Sequence, residues 1–400
     1  MNKIIRVGEK EREYVQKVLD SQFSASSGCN MGSKLEKLFA EKFDANYAIS
    51  FCNGTATLHA CLEAAGVGYG DEVIVPPLTM SATTFAVLHA NAIPVFADVD
   101  MESFVITAEA IEKCITPKTK AIITVALFGL SPDMDPIMAL AKKHNLVVIE
   151  DNAQCFLSEY KGRKVGTLGD MSSYSFQSSK HLSSGEGGMV LTNNIEYADA
   201  VRRVSSLGYA GVSVKRGKIL KTDIQSPNYF RHVSMGWNYR MSELCAAVML
   251  AQTERIEELV NQRIKVAEMY EEVIKDVAWL RPQKKFKDNT NSYWSYSVVL
   301  ERDDITWFDF RDKYMELGGD GIYAAWQLTY LEPMFTERKL LGREKIIEDA
   351  GKYNYERGIC PNAEYLQPRM LQFKTNYWDP ARAEKQMEVL KQTIAFFDKK

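Results

Sequence analysis

Four hundred residues, 46% hydrophobic and 25% charged, are enough to bury a substantial core, as two or three domains or as one large α/β domain with a smaller companion. A formal net charge of -3 with both signs interspersed gives no broad basic footprint for nucleic acid, and no apolar run approaches the ~20 residues of a membrane helix. The cysteines Cys29, Cys52, Cys61, Cys114, Cys155, Cys245 and Cys360 lack metal-ligand spacing and Met1 to Arg12 lacks a signal-peptide core, so a cytoplasmic protein with free thiols and no metal site is expected.

Glu11 to Leu19 has the composition of a short helix, and Asp20 to Gly32 is a Ser/Gly-rich loop. The spacing of Leu35, Leu38, Phe39 and Phe43 predicts a helix over 33–43, and 47–51 reads as a strand. That strand runs into Cys52-Asn53-Gly54-Thr55-Ala56-Thr57, a loop that enters a second helix. The first amides of a helix have no intrahelical acceptor and, beside hydroxyls, they suit a phosphate; a plain strand-loop-helix junction uses the same residues.

Strands over 71–77, 94–100, 119–127 and 146–151 then alternate with helices over 79–89, 107–114 and 135–145. This rhythm predicts a largely parallel sheet with helices on both faces, which gathers ligands at the carboxyl ends of its strands. Asp151 stands at such an end, followed by Asn152-Ala153-Gln154. It either caps a turn or, with Gln154, presents a carboxylate and an amide to a ligand.

The stretch Gly169 to Leu191 is too rich in small and hydroxyl residues for ordinary core. A strand-like 173–176 leads to Lys180 among serines, then to Gly185-Glu186-Gly187-Gly188 and the apolar Met189-Val190-Leu191. A lysine whose surroundings lower its pKa is a nucleophile toward a carbonyl, forming a Schiff base; a turn carrying a solvated lysine has the same composition.

A helix is expected over 198–207, followed by a basic and aromatic connection from Gly208 to Met235 that carries Lys215, Arg216, Lys218, Lys221, Tyr229, Phe230, Arg231 and His232. A loop of that length points to a binding or lid role. Gly236-Trp237-Asn238-Tyr239-Arg240-Met241 precedes a helical stretch over 242–274, broken once. A strand over 292–299, a helix over 307–317, a sharp turn at Gly318-Gly319-Asp320-Gly321, a helix near 346–354 and a last one over 380–397 predict a smaller α+β unit. The expected division is a large domain over 1–250 and a small one over 251–400 that includes the long linking helix.

Three separated features fit one ligand. A helix start at Thr55 and Ala56, an acid at Asp151 and an amine at Lys180, with Ser175 five residues earlier, would together serve a phosphorylated aromatic aldehyde. The carboxylate keeps a pyridine nitrogen protonated, the amine bonds the aldehyde carbon and moves a proton, and amides with hydroxyls fix the phosphate. A dinucleotide site is disfavoured, since no strand-linked GxGxxG occurs.

The fragments Asn53-Gly54-Thr55-Ala56, Gly70 to Pro76, Val95 to Asp100, Glu150 to Gln154, Ser175 through Lys180 to Gly188, Gly236 to Met241 and Cys360 to Glu364, in this order, resemble the DegT/DnrJ/EryC1/StrS family of sugar aminotransferases. The resemblance implies fold type I: a large domain with a mostly parallel seven-stranded sheet between helices, and a smaller C-terminal α+β domain. It implies pyridoxal 5'-phosphate as cofactor, with Lys180 as the Schiff-base lysine, Asp151 on the pyridine nitrogen, Gln154 near the ring oxygen, and Thr55, Ala56 and Ser175 on the phosphate. Asn238 would reach the phosphate of a neighbouring subunit, giving a homodimer with shared active sites. Met80 stands where the family usually stacks an aromatic ring, and Ala126, Gln177 and His181 also depart from the common pattern. Counting back from the glycine cluster places Lys180, not His181, at the reactive position, which separates a transaminase from the family's histidine-bearing dehydrases.

The expected activity is transfer of an amino group from an amino acid, L-glutamate, to a nucleotide-linked keto-sugar by a ping-pong Schiff-base route. A cyclitol ketone or a small phosphorylated ketone is the alternative acceptor. A non-catalytic cofactor-binding homologue is a further alternative, though it would have little reason to keep Lys180, Asp151 and Gln154 together. Candidate substrate contacts are Glu186, Arg231, His232, Tyr323 and Trp326; the basic residues of the 208–235 connection suit a diphosphate or form a solvated loop.

Overall fold

The computed structural model describes residues 2–217, 219, 221–349 and 355–399, with the side chains of Lys221 and Asp349 left undescribed. Its first strands are β1 (Tyr47–Phe51), β2 (Glu72–Val75), β3 (Ile93–Phe96), β4 (Thr119–Val125) and β5 (Val147–Asp151). A short hairpin of β6 (Glu159–Tyr160) and β7 (Arg163–Lys164) intervenes before β8 (Met171–Ser175) and β9 (Gly188–Thr192). Seven of these form one sheet in the order β1-β9-β8-β5-β4-β2-β3. The run from β8 to β3 is parallel, while β9 is antiparallel to both of its neighbours.

Helices cover both faces, so the central strands are apolar on both sides rather than alternating with polar residues. Val73, Val75, Ile123 and Ile149 pack on one side with Leu58 and Leu62 of the helix Gly54–Ala64. Their sequence neighbours Ile74, Ile122 and Val148 point the other way, against Ile137 and Leu140 of the helix Met134–His144. The period of two in the side chains accounts for this split. Because β4, β5 and β8 run parallel, Val125, Asp151 and Ser175 arrive at the same edge.

The chain then crosses to a second, antiparallel sheet of β10 (Leu280–Pro282), β11 (Ser295–Leu300), β12 (Tyr323–Ala324) and β13 (Met370–Lys374), in the order β10-β11-β13-β12. Tyr270, Phe310, Phe373 and Leu390 form its core with the helices Ile256–Ile274, Trp307–Glu316 and Pro380–Phe397. The expected break in the helical stretch after 242 falls at Arg255, between Glu243–Glu254 and Ile256–Ile274. The proposed domain division at 250/251 lies about one turn before it.

Some elements differ from the sequence reading. The helix expected over 198–207 is Ile195–Val204, because Asn194 caps it by accepting the Glu196 N–H at 2.8 Å. The strand expected from 292 begins at Ser295, leaving 292–294 for contacts with the lysine loop. The 208–235 connection is not structureless: it contains the short helix Lys221–Ile224 and an antiparallel bridge between Tyr209 and His232. Lys218 lies outside the described residues, and so does the second half of the helix expected near 346–354, whose described part is Glu344–Asp349. Among the described residues, no helix is long and apolar enough to cross a membrane.

Candidate active site

A cavity of about 700 Å³ opens at the carboxyl edge of the large sheet, and Thr55, Ala56, Met80, Asp151, Gln154, Ser175, Lys180, Glu186 and Trp326 all line it. One corner is the start of the helix Gly54–Ala64. Asn53 caps this helix by accepting the Ala56 N–H at 2.8 Å. The Ala56 amide is thereby engaged, and among the described residues the Gly54 and Thr55 amides meet no acceptor. A Cβ at Gly54 would lie 2.8 Å from Ser175 Cβ, so only glycine lets this helix start close against the end of β8. Two open amides, the Thr55 hydroxyl and the Ser175 hydroxyl therefore share a corner suited to a phosphate-sized anion.

Asp151 stands at the end of β5, only 5% exposed. Its Oδ2 accepts the Thr83 hydroxyl at 2.8 Å and its Oδ1 accepts the Ala153 N–H at 3.1 Å. Burial pushes its pKa above the ordinary carboxylate value, while Thr83, Ala153 and the charge of Lys180 pull it back in part. Among the described residues it forms no ion pair, which leaves the carboxylate able to meet a cationic group of a ligand. Gln154 Oε1 accepts the Phe128 N–H at 2.8 Å. That bond fixes the amide orientation and leaves Nε2 as the donor this cavity-lining side chain can offer.

Lys180 lies in the loop between β8 and β9, with its Nζ 4.9 Å from the centre of the Trp294 ring. Burial lowers its pKa to about 8, with Arg263 adding in the same direction and Asp151 and Glu186 opposing. Gln177 braces the loop by accepting the Ser179 N–H and hydroxyl at 2.8 and 2.7 Å. His181 faces away from the cavity: it is fully buried, its Nε2 sits 2.8 Å from the Ser292 carbonyl, and its ring packs 5.3 Å from Phe156. Desolvation holds that imidazole well below its usual pKa. An amine of lowered basicity thus faces a buried acid, an amide donor and an anion corner across one cavity, the layout for covalent catalysis on a carbonyl.

The remaining sequence candidates lie elsewhere. Tyr323, 60% exposed, lines an adjacent cavity of about 500 Å³ that shares Ser179, Trp294 and Trp326 with the first. Arg231, His232 and Asn238 are exposed and outside the cavity lining; His232 Nδ1 lies 2.8 Å from Leu207 O, and Asn238 bridges to Ser206. Sequence reasoning missed Thr83 and Trp294, whose partners are remote in the chain and which carry no local signal. Met80, 47% exposed, lines the cavity with its Sδ accepting the Ala82 N–H at 3.0 Å.

The profile of the DegT/DnrJ/EryC1/StrS aminotransferase family matches residues 6–372. The chain is 37% identical over 346 residues to a GDP-perosamine synthase of Escherichia coli O157:H7, covering 86% of this chain and 88% of that one. It is 39% identical over 269 residues to a GDP-perosamine synthase of Caulobacter vibrioides, covering 67% and 68%. The X-ray structure of an aminotransferase from Psychrobacter cryohalolentis superposes with a TM-score of 0.85 at 30% identity, over 97% of each chain.

Proposed function

The chain belongs to the DegT/DnrJ/EryC1/StrS aminotransferase family, and from that premise we propose that it uses pyridoxal 5'-phosphate to move an amino group from an amino acid, L-glutamate, to a nucleotide-linked keto-sugar. The observation that carries this reading is the single cavity in which Lys180, Asp151, Gln154 and the helix start at Gly54 meet. The residues fit the cofactor: among the described residues the cavity offers a buried carboxylate without a paired cation for the ring nitrogen, an amide N–H without an acceptor for the ring oxygen, and open amides with two hydroxyls for the phosphate. When bound, pyridoxal phosphate supplies an electrophilic carbon and a ring that accepts electron density from the substrate.

The protein's own groups supply the rest. Asp151 stays ionised against a cationic ring nitrogen, which favours the charged carboxylate despite burial. Thr83 and the Ala153 amide hold that carboxylate in one orientation. Lys180 Nζ, as free amine, takes the Cα proton of the donor in the first half-reaction and returns a proton to the former keto carbon of the acceptor in the second. At a pKa of about 8 roughly a tenth of it is free amine at pH 7, hundreds of times more than an unperturbed lysine offers. The amino acid leaves as its keto acid before the acceptor enters, so the kinetics are ping-pong.

The nucleotide on the acceptor is proposed from the two relatives named for a GDP-linked sugar. We also propose a homodimer in which the exposed Asn238 serves the neighbouring cavity. The test is a two-step spectral assay: load the enzyme with L-glutamate until its absorbance converts to the amine-bearing form, remove the glutamate, then add single acceptors and watch the absorbance return. A GDP-linked keto-sugar is expected to restore it. Return only with a free cyclitol ketone, or only with a small phosphorylated ketone, would replace the acceptor class, and failure to convert with glutamate would replace the donor.

A further inference from the structure

Arg263 occupies a core-facing position in the middle of the helix Ile256–Ile274 and is only 1% exposed. Its Nη1 donates to the Trp294 carbonyl at 2.8 Å and to Thr375 Oγ1 at 3.3 Å. Its Nη2 donates to the carbonyls of Ser179 and Lys180 at 2.8 and 2.9 Å. Arg6 arrives from the N-terminal segment and donates Nη1 to the Ser178 carbonyl and Nη2 to the same Lys180 carbonyl, both at 2.8 Å. The two guanidinium groups lie 5.5 and 5.9 Å from the centre of the Trp378 ring. Among the described residues neither forms an ion pair.

Such an arrangement is expensive. A buried guanidinium normally sits beside a carboxylate; here neutral oxygens engage only the two Nη groups, without cancelling the charge, and among the described residues Nε meets no acceptor. Burial and the charge of Arg6 together bring the Arg263 pKa down to about 9. A methionine or leucine would fill a core helix position without that penalty. All four Nη bonds of Arg263 fall on segments around the lysine: the 178–180 loop, the tryptophan under the amine, and Thr375, whose hydroxyl in turn donates to the carbonyls of Tyr293 and Trp294. Trp294 closes the arrangement, its Nε1 donating to Ser179 O at 3.0 Å while its ring lies 4.9 Å from Lys180 Nζ.

We propose that Arg263, assisted by Arg6, is a positioning residue for Lys180: it pins the loop backbone so that the side chain enters the cavity, and it brings an unpaired positive charge against the loop that carries the amine. The inference rests on the reading of Lys180 as the nucleophile. The charged groups facing Lys180 divide by element: Asp151 of β5 and Glu186 of the glycine turn favour the ammonium form, while Arg263 of the long helix opposes it. Arg6 acts on Arg263 and on the adjacent, neutral His181. Burial is the largest cause of the lowered pKa of the amine, and Arg263 adds to it against the two carboxylates.

The test uses the full-length protein freed of cofactor and a trace of acetic anhydride at a series of pH values, with acetylation of the Lys180 peptide measured by mass spectrometry against the exposed Lys37. The wild-type profile is expected to have its midpoint near pH 8. Arg263→Met should raise the midpoint by about one unit, a roughly tenfold loss of labelling on the acid side, and Arg6→Met, which leaves the Arg263 charge in place, should raise it by less. Arg263→Lys keeps the charge without the planar fork and should keep the midpoint near that of wild type. A wild-type midpoint in Arg263→Met would overturn the proposal, and if that variant does not fold, Arg263→Gln, which loses the charge but keeps N–H donors, is read in its place with the same outcomes. The outcome is separable from the reading beneath it: transaminase activity surviving in Lys180→Ala would remove the nucleophile assignment yet leave this titration unaltered.

Discussion

The carboxyl edge of the large sheet and the 208–235 connection are both rich in polar and aromatic residues, yet they spend them differently. At the edge, Asp151, Gln154 and Ser175 are 5%, 4% and 8% exposed, and each is engaged by a neighbour from the same chain. In the connection, Phe230 and Met235 are 84% and 77% exposed, Arg231 and His232 face outward, and the motif that follows leaves Asn238 exposed. Large apolar side chains clustered in an exposed segment mark a surface that is covered by something else. The edge lines a cavity with side chains of one chain, whereas the connection leaves its large apolar side chains exposed, the surface that the proposed homodimer would cover.

The largest effect belongs to the edge. Lys180→Ala should lower amine transfer by at least about a thousandfold and remove the cofactor's covalent absorbance, measured by donor half-reaction stopped-flow and spectra. In the wild type the rate of that half-reaction should rise with pH through about 8, because the amine must be free and its pKa is lowered to that value. A rate that falls over that range would assign proton transfer to another group. Asp151→Asn keeps the shape and loses the charge, and should cost about a hundredfold in the same assay, since a neutral amide cannot stabilise a cationic ring nitrogen.

Why these two residues are readable from sequence, and others are not, follows from the geometry. Glu150 and Asp151 are adjacent acids on β5, and strand alternation sends them to opposite faces. Glu150 turns away and accepts the N–H groups of Gly166, Leu168 and Gly169 at 2.8, 2.8 and 2.7 Å, while the strand-terminal Asp151 reaches the cavity. Strand ends and helix starts are local features, so the layered fold and the cavity floor are legible from periodicity, and the family resemblance adds the roles. Thr83 lies 68 positions before Asp151, and Trp294 lies 115 after Ser179. Nothing near either residue in sequence announces its partner. Arg263 is harder still, since within an amphipathic helix a lone arginine reads as surface, and only the fold reveals that it is buried.

The connection yields a conditional loss. Asn238→Ala is expected to reduce activity about tenfold, and mixing it with Lys180→Ala under subunit exchange should bring back about a quarter of wild-type activity, because half of the dimers are hybrids with one intact site in two. The measurement is steady-state transfer in the mixture, with exchange verified by native mass spectrometry. No recovery after verified exchange would return Asn238 to its own chain and erase the contrast between the two regions.

Met80 lines the cavity yet is 47% exposed, and its replacement should have the smallest effect. Met80→Phe offers a flat ring to the cofactor, a gain of about 1 kcal/mol, or roughly fivefold in affinity, if offset stacking is reached. Against this stands the loss of the Sδ acceptor 3.0 Å from the Ala82 N–H, but a thioether is a weak acceptor and that amide opens a helix where water can replace it. The gain should therefore exceed the loss, and cofactor titration of the emptied protein should show binding tightened by a few fold at most. Weaker binding would mean that methionine fills a space too narrow for a ring.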